Sequence, residues 1–327
     1  MTQTPDRNLA LELVRVTEVA AIAAARYQGR GDKESVDQAA VDAMRQVLST
    51  IDMDGVVVIG EGEKDEAPML YNGEVVGNGE PPMVDVAVDP VDGTRLTARG
   101  MPGALAVLAL APRGTMYAPG KLVYMDKIAV GPAAAGKVDI EAPVAYNLQQ
   151  VAKAKDKPIS DITAIILDRP RNEPFVQAVR AAGARITLIG DGDISGSIAT
   201  AKSDSGVDIL FGIGGSPEAV TSACALAALE GEMQAKLWPR DDSERAYAAE
   251  EGLDLDQVLT TRDLVDSDNT FFAATGVTPG ELLEGVRFGS HSVHTNSLVL
   301  RSKTGTVRFI NAIHSLDQLR DLSAFEL

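Results

Sequence analysis

The chain has 327 residues, of which 45% are hydrophobic, so it is long enough to bury one large or two ordinary cores. Its net charge of −17 disfavours nucleic acid as a partner, because that binding depends on lysine and arginine contacts to phosphates. The chain has one cysteine, no apolar run of membrane-spanning length and no leader-like N-terminus, so we expect a soluble, cytoplasmic protein that binds no membrane.

The first part of the chain reads as two helices followed by four strands. Apolar residues recur with helical spacing over residues 9–27 and about 33–50. Apolar runs then predict four strands, over residues 55–60, 84–88, 104–111 and 121–130. Both helices therefore precede the strands against which they can pack.

The second half alternates between strands and helices. Strands are predicted over residues 163–167, 185–189 and 207–213, and helices over residues 173–182, 194–202 and 217–229. An exposed helix over 240–251 and a late hairpin of residues 297–301 and 306–310 follow. Such alternation is typical of a layered α/β architecture, here with two lobes that meet near residue 160.

The most informative stretch lies at the end of the predicted strand 84–88. The strand ends on Asp89, a proline is expected to stop it, and Asp92, Gly93 and Thr94 follow at once. Two carboxylates, a flexible glycine and a hydroxyl suit a hard metal ion and a phosphate oxygen. An Asp-Gly pair is also a common turn former, which is the alternative for Asp92. Asp85, on the same side of the strand as Asp89, stays outside the predicted site.

One carboxylate of the second predicted helix falls among its apolar residues. At about 100° per residue, with Val36 at 0°, the apolar residues 40, 44, 47 and 48 lie between about 20° and 120°, and Asp37 lies at about 100°. A carboxylate on the buried side of a helix must be paired, neutralised or bound to a metal. The alternative is a solvated position near the helix N-terminus, where aspartate is favoured in any case.

Two glutamates follow predicted strands, where functional residues of open α/β sheets gather. Glu61 stands between two glycines after strand 55–60, although a solvated turn explains it as well. Glu218 follows Ser216 and Pro217, a good N-cap and a good first helical residue, so it would lie in the first turn of a helix. A favourable interaction with the helix dipole is the alternative explanation for Glu218.

Together, Asp37, Glu61, Asp89, Asp92 and Glu218 are acids at the ends of elements in one α/β framework. Carboxylate oxygens suit Mg²⁺ or Mn²⁺ rather than zinc, which prefers histidine and cysteine. An acidic protein that handles an anionic phosphate needs such cations, because its own charge would repel the substrate. The residues therefore predict a metal-dependent site for a phosphate.

Five motifs follow one another along the chain. They are Gly29-Arg-Gly-Asp-Lys33, Gly60-Glu-Gly-Glu-Lys-Asp-Glu-Ala-Pro-Met-Leu-Tyr71, Asp89-Pro-Val-Asp-Gly-Thr-Arg95, Asp191-Gly-Asp193 and Gly212-Ile-Gly-Gly-Ser-Pro-Glu218. In this order, and with Asp168-Arg-Pro-Arg171, they resemble class II fructose-1,6-bisphosphatase, within the lithium-sensitive, metal-dependent sugar and inositol phosphatases. The resemblance covers nearly the whole chain.

The resemblance implies a layered α/β/α/β/α sugar-phosphatase fold of two lobes that form one functional unit. Residues 1–160 would be the metal-binding and catalytic lobe, and residues 161–327 the sugar-binding α/β lobe. It also implies hydrolysis of the 1-phosphate of fructose 1,6-bisphosphate to fructose 6-phosphate and phosphate, in gluconeogenesis, with Mg²⁺ or Mn²⁺ as the cofactor.

The same resemblance implies the role of each site residue. Asp37 and Glu61 would hold one metal ion, and Asp89, Asp92 and Glu218 the other. The residues implied to contact the substrate are Asp92, Gly93, Thr94, Tyr124, Arg169, Pro170, Arg171, Asp191, Gly192, Asp193 and Gly215. Within that set, the arginine pair would receive a phosphate, residues 191–193 the sugar hydroxyls, and the backbone of residue 215 the substrate.

Several of these residues have a simpler explanation. Pro170 would keep the chain extended, so Arg169 and Arg171 would point to opposite faces, and a surface salt bridge explains at most one of them. Tyr124 on a strand is by default a core aromatic residue with its hydroxyl outward. Only the resemblance makes these residues part of a substrate site.

Thr94 is the residue predicted to act on the attacking water. Its hydroxyl would orient the water or help to deprotonate it, with Asp37 or Glu61 as the proton acceptor. Use of Thr94 as a covalent nucleophile is the less favoured alternative. Capping of the following turn is a structural alternative that could coexist with catalysis.

Three other functions remain open at the level of sequence. The same chemistry could act on sedoheptulose 1,7-bisphosphate or on both sugars, and inositol monophosphatase is a more distant reading. The glycine-rich turn at residues 212–215 would also fit a non-catalytic sensor of sugar phosphates or nucleotides. We also expect a homo-oligomer, either a dimer or a tetramer. The N-terminal helix and the late hairpin are candidate interface elements, although core packing explains them equally well.

Overall fold

The computed structural model of this chain describes residues 9–60 and 70–322. The helices in these ranges are α1 (Ala10–Ala25), α2 (Lys33–Leu48), α3 (Thr94–Arg99), α4 (Val144–Lys155), α5 (Glu173–Ala181), α6 (Asp193–Ala201), α7 (Ser216–Ala228), α8 (Asp242–Glu250), α9 (Thr261–Leu264) and α10 (Leu316–Leu322). The first-sheet strands are β1 (Asp54–Ile59), β2 (Val75–Val76), β3 (Met83–Asp92) and β4 (Leu105–Pro112), with β11 (Phe271–Gly276), β12 (Arg287–Phe288), β13 (Ser292–Arg301) and β14 (Thr306–Ser315). The second-sheet strands are β5 (Tyr124–Val130), β6 (Thr163–Leu167), β7 (Arg185–Ile189), β8 (Ile209–Gly215), β9 (Glu232–Leu237) and β10 (Leu259–Thr260).

Each sheet combines parallel and antiparallel pairs. In the first sheet β1 and β3 run parallel, and β3, β4, β11, β13 and β14 pair antiparallel in turn. In the second sheet β6 lies parallel to both β7 and β8, and β5 joins β8 to β9 by antiparallel pairing. Both sheets take strands from before and after residue 160. The predicted lobe boundary at that residue stays a prediction.

The helices form three layers that alternate with the two sheets. α1 and α2 pack on the outer face of the first sheet, α6 and α7 lie between the sheets, and α4 and α5 cover the outer face of the second sheet. Three hydrophobic clusters fill the spaces between these layers. The arrangement confirms the predicted α/β/α/β/α layering, because each sheet has both faces covered by helices.

Most predicted elements lie close to the observed ones, with two informative differences. β3 does not stop at Pro90 but continues to Asp92, through an irregularity in its pairing with β4. β5 begins at Tyr124 rather than near residue 121, because the chain turns at Gly120, where φ is +61°. Both differences concern residues next to the predicted site.

None of the helices within the described ranges is long and apolar enough to cross a membrane.

Candidate active site

A β-bulge turns both aspartates of the central motif to the same face of the first sheet. Asp89 pairs with Val107 and Asp92 pairs with Leu105, so three steps along β3 match two steps along β4. Cross-strand partners share a face, and Val107 and Leu105 both belong to the core between the two sheets. Both carboxylates therefore face the middle layer. Pro90 is accommodated because it lies within the bulge, where the regular hydrogen-bonded ladder is interrupted.

The chain leaves β3 by a tight turn that brings Thr94 to the second helix. Gly93 adopts a φ of +102°, which a residue with a side chain rarely adopts. The Thr94 hydroxyl donates a hydrogen bond of 2.7 Å to Oδ1 of Asp37, a half-buried residue of α2. Burial raises the pKa of Asp37, while the Thr94 hydrogen bond and the nearby charge of Lys33 act in the opposite direction. Asp37 is thus paired on the inner side of its helix, as its position among the apolar residues predicts.

The end of β3 lies against two turns from the second sheet. Asp92 is 4% exposed, and the charges of Glu218, Asp193 and Asp191 all act on it. Burial and these neighbouring acids raise the pKa of Asp92 well above its usual range, and the Lys127 charge partly offsets them. The structure therefore brings together carboxylates that are far apart in the sequence.

The turn between β7 and α6 reaches the Asp92 carboxylate through a glycine. Gly192 has a φ of +76°, and a Cβ atom on it would lie 3.1 Å from one Asp92 carboxylate oxygen. A side chain at this position would crowd the acid. Glycine therefore allows the aspartates on either side, Asp191 and Asp193, to lie beside the end of β3.

The turn between β8 and α7 brings Glu218 to the same cluster. Pro217 and Glu218 lie in the first turn of α7, as predicted, and Gly215 lies against the Glu218 side chain. Burial is the main cause of the raised pKa of Glu218. The charge of Asp193 raises this pKa further, and the charge of Lys127 lowers it. Binding of a proton or a cation would therefore stabilise both Asp92 and Glu218, which are neighbours in this cluster.

The two arginines of the Arg-Pro-Arg motif have different partners. Arg169 donates a hydrogen bond of 2.8 Å to Asp191, whereas Arg171 donates one of 2.9 Å to the carbonyl of Ile213. Pro170 begins a 3₁₀ turn, so the prediction that it keeps the chain extended is wrong. The turn is held by the buried Asn172, which bonds to both the backbone N–H and the carbonyl of Ile213.

Tyr124 lies beside the second arginine. The Arg171 guanidinium carbon is 4.3 Å from the centre of the Tyr124 ring, and the ring meets Trp238 edge-on at 6.2 Å. Arg240 approaches the same ring at 5.9 Å. Two guanidinium groups therefore flank one tyrosine at the mouth of the second sheet, which suits an anionic group of a ligand.

Sequence reasoning missed Lys127, Trp238 and Arg240 around this site. Lys127 is 1% exposed and pairs with Asp193 at 2.5 Å. Its sequence signal was a lysine that follows Asp126 in a largely apolar strand, since a fully buried lysine is rare unless it is paired. Trp238 and Arg240 lie between β9 and α8, next to a charged segment. Nothing in the sequence there indicates a binding role.

The residues present fit a hard metal ion. Oδ2 of Asp92 is buried and has no hydrogen bond among the described residues, and the neighbouring acids offer only oxygen donors. Within residues 9–60 and 70–322, no group of three or more His, Cys, Asp or Glu side chains has a ready metal-binding geometry. The predicted ligand Glu61 lies outside the described residues.

Comparison with known proteins identifies the family of this chain. Residues 7–314 match the family described as "Bacterial fructose-1,6-bisphosphatase, glpX-encoded". The chain is 46% identical over 326 residues to fructose-1,6-bisphosphatase 1 class 2 of Escherichia coli K12, covering 95% of this chain and 96% of that protein. Class 2 fructose-1,6-bisphosphatase of Shigella flexneri matches with the same identity and coverage.

The fold and the site, taken with these matches, define a phosphoric monoester hydrolase of the sugar-phosphatase class. More narrowly, the chain belongs to the family of bacterial class 2 fructose-1,6-bisphosphatases. Enzymes of this family hydrolyse fructose 1,6-bisphosphate in gluconeogenesis, and metal dependence is general among them.

Similar solved structures are more distant. The extragenic suppressor protein suhB from Bartonella henselae is 15% identical, with a TM-score of 0.34 over 60% of this chain and 74% of that one. An extragenic suppressor from Pyrococcus furiosus is also 15% identical, with a TM-score of 0.31 over 58% of this chain and 68% of that one. Scores this low add nothing to the layered fold described above.

Proposed function

We propose that this chain removes the 1-phosphate of fructose 1,6-bisphosphate at the acid cluster between the two sheets. The observation that carries the proposal is the meeting of the buried Asp92 and the half-buried Glu218, both of raised pKa, next to the Thr94–Asp37 hydrogen bond. A dianionic phosphate would be repelled by such a cluster unless cations were bound there. The site is therefore suited to a phosphate that arrives with metal.

Mg²⁺ or Mn²⁺ would be held by Asp37, Glu61, Asp89, Asp92 and Glu218. Supporting observations are the buried Oδ2 of Asp92, which lacks a hydrogen bond among the described residues, and the all-oxygen character of this set. When bound, such ions would neutralise phosphate charge and activate water.

Thr94 and Asp37 would together prepare the attacking water. Since the Thr94 hydroxyl donates its proton to Asp37 Oδ1, its oxygen is left as an acceptor for a hydrogen bond from water. As the water attacks, its proton would pass to Thr94 Oγ1 while the Thr94 proton passes to Asp37. The raised pKa of Asp37 makes this carboxylate a better base than an exposed aspartate. Glu61 stays the alternative proton acceptor.

The turns of the second sheet would hold the rest of the substrate. Asp191 and Asp193 would accept hydrogen bonds from sugar hydroxyls, with Arg169 holding Asp191 in place at 2.8 Å. Arg171, stacked on Tyr124, would bind the phosphate that is not cleaved. Asp92, Gly93 and Thr94 would line the phosphate that is cleaved, and the backbone of residue 215 would contact the substrate between them.

Phosphate release from a panel of esters tests the proposal. The purified chain is given fructose 1,6-bisphosphate, sedoheptulose 1,7-bisphosphate and inositol monophosphate, each with Mg²⁺, with Mn²⁺ and with EDTA. We expect turnover of the fructose ester with either metal and none with EDTA. Faster turnover of the sedoheptulose ester would assign that sugar instead, and tight binding without turnover of any ester would favour a sensor.

Two further properties stay predictions. A homo-oligomer would appear as a dimer or tetramer mass in solution. A cytoplasmic location agrees with a single, buried cysteine, Cys224.

A further inference from the structure

Lys127 is a buried cation that the reaction as outlined above does not use. It lies on β5 in the middle of the second sheet and is 1% exposed. Its Nζ lies 2.5 Å from Oδ2 of Asp193 and donates a hydrogen bond of 3.1 Å to the carbonyl of Gly215. A lysine is costly to bury, and both partners belong to the predicted substrate site.

A glycine makes room for this ion pair. A Cβ atom on Gly214 would lie 2.7 Å from the Lys127 Nζ and would also meet Oδ2 of Asp193. The φ angle of Gly214 is not positive, so its backbone conformation does not require glycine. Glycine is needed here because a side chain would occupy the space of the ion pair. The backbone of β8 is thus shaped around the contact between Lys127 and Asp193.

The pair engages only one of the two carboxylate oxygens of Asp193. Oδ2 is held by Lys127, whereas Oδ1 is buried and has no hydrogen bond among the described residues. An ionised carboxylate oxygen accepts hydrogen bonds only, so it requires a donor such as a sugar hydroxyl. Lys127 itself is enclosed, which means that it acts through Asp193 rather than by touching the substrate.

We propose that Lys127 is a positioning residue for sugar recognition: it fixes Asp193 and the Gly215 carbonyl so that Oδ1 of Asp193 meets a sugar hydroxyl. This inference rests on the proposed function. It extends that function because recognition of the sugar would depend on a residue that does not touch the substrate. Replacement of Lys127 should then affect a substrate with sugar hydroxyls much more than a substrate without them.

The test compares two esters in one variant. In Lys127→Met, KM for fructose 1,6-bisphosphate should rise roughly tenfold or more, because a charge-assisted contact that orients Asp193 is lost. The Lys127 charge also acts on Asp92 and Glu218, so both esters are assayed at saturating Mn²⁺. KM for p-nitrophenyl phosphate, which has no sugar hydroxyls, should then change much less than KM for the sugar ester. Lys236→Met is the matched control, since Lys236 lies on the adjacent strand β9 and pairs with the exposed Glu141 at 3.0 Å.

A binding measurement without metal gives a second readout. The affinity for fructose 6-phosphate in EDTA, measured by calorimetry, should fall in Lys127→Met and in Asp193→Asn. The double variant should be no worse than either single one, because the two residues act as one unit. Lys127→Arg, which keeps the charge, should recover part of the affinity. If Lys127→Met does not fold, Gly214→Ala replaces it in the test. The added methyl group would displace the ion pair although neither Lys127 nor Asp193 is substituted.

The outcomes separate this inference from the proposed function. A wild-type chain that releases no phosphate from fructose 1,6-bisphosphate overturns the proposed function. An active wild type whose folded Lys127→Met and Gly214→Ala variants keep the wild-type KM overturns the role of Lys127. Equal losses on both esters would also overturn it, because they would mean general damage to the fold rather than lost sugar recognition.

Discussion

The hydroxyl of Thr94 and Oδ1 of Asp37 are joined by a hydrogen bond of 2.7 Å across 57 positions of the sequence. This bond ties the first residue of α3 to the inner face of α2, next to the bulged end of β3. Of the two acceptors near the Thr94 hydroxyl, the Asp37 carboxylate, whose pKa is raised, lies closer than the Val91 carbonyl, which is 3.1 Å away. If the Thr94 hydroxyl accepts a proton from water, it must therefore pass its own proton to Asp37.

Thr94→Ala should therefore affect the chemical step and not binding. We expect kcat to fall by about 100-fold or more, as for loss of a group that assists proton transfer, with KM little changed. Steady-state phosphate release measures both constants. Thr94→Ser keeps the hydroxyl and should retain most of the activity, and a wild-type kcat in Thr94→Ala would remove this residue from the mechanism.

Asp92→Asn should have opposite effects on activity and on the metal-free fold. The raised pKa of Asp92 reflects burial and three neighbouring acids, so removing its charge should raise Tm in EDTA by at least about 2 °C. Activity should nevertheless be lost, together with the increase in Tm that Mn²⁺ gives the wild type. Calorimetry with and without Mn²⁺ checks this.

Asp85 provides the matched control for that variant. It lies on β3 on the same face, but its Oδ2 accepts hydrogen bonds of 2.8 and 3.0 Å from the backbone N–H groups of Thr115 and Met116. Asp85→Asn should therefore lower Tm both with and without Mn²⁺. If Asp92→Asn behaved in the same way, the assignment of Asp92 as a metal ligand would be wrong.

Arg171→Ala should weaken the binding of a bisphosphate but not of a monophosphate. Loss of a charge-assisted contact to the uncleaved phosphate should raise KM for fructose 1,6-bisphosphate by roughly tenfold or more. KM for fructose 1-phosphate, which lacks that group, should change little. Arg169→Ala should raise KM for both esters, because Asp191 loses its partner.

Arg185 is a suitable control for the arginine variants. It is exposed, and among the described residues its side chain donates a hydrogen bond only to the carbonyl of Asp161. Arg185→Ala should leave both KM values unchanged. An equal rise for both esters in Arg171→Ala would contradict the assignment of Arg171 to the second phosphate.

Glu18→Gln should flatten the pH dependence of stability. Burial raises the pKa of Glu18 from 4.5 to about 7, although the Thr295 hydroxyl donates a hydrogen bond to it. The folded chain thus holds this proton more tightly than the unfolded chain, and the free energy of unfolding falls as pH rises from about 4.5 to 7. Glutamine can still accept from Thr295 but carries no charge.

Urea unfolding at two pH values measures that effect. The variant and the wild type should be equally stable near pH 4.5, and the variant should be more stable by about 3 kcal/mol at pH 8. His314, with Nε2 3.9 Å from Glu18, is present in both proteins, so its own titration largely cancels in the comparison. If the free energies of unfolding of the two proteins differed by the same amount at both pH values, Glu18 would carry no buried charge.

The sequence allowed prediction of whatever depends on local pattern. The helical spacing of α2 placed Asp37 on its inner side, and the Ser-Pro-Glu start of α7 placed Glu218 in its first turn. The strands β9 and β11 were not predicted. β9 does carry a strand signal, since Glu, Gln and Lys alternate with buried apolar residues, whereas β11 is buried on both faces and shows no alternation.

The remainder of the site depends on contacts between distant segments. One strand cannot reveal that Lys127 meets Asp193, because the partner comes from a turn of another strand. The 3₁₀ turn at Pro170 likewise depends on Asn172, whose side chain is bonded to β8. The five acids were predicted from their places in the chain, whereas the substrate-contacting residues came from a family resemblance. The chemical roles of both sets stay predictions.

The bulge in β3 is what makes a spacer of two residues between Asp89 and Asp92 workable. Without the bulge, strict alternation would put Val91 on the side of Asp89 and would send Asp92 into the apolar core beneath α1 and α2. A strand with the same sequence but regular pairing would keep every amino acid type that the site needs and still separate the two carboxylates. The irregular pairing is therefore as much a part of the site as the acids that it brings to one face.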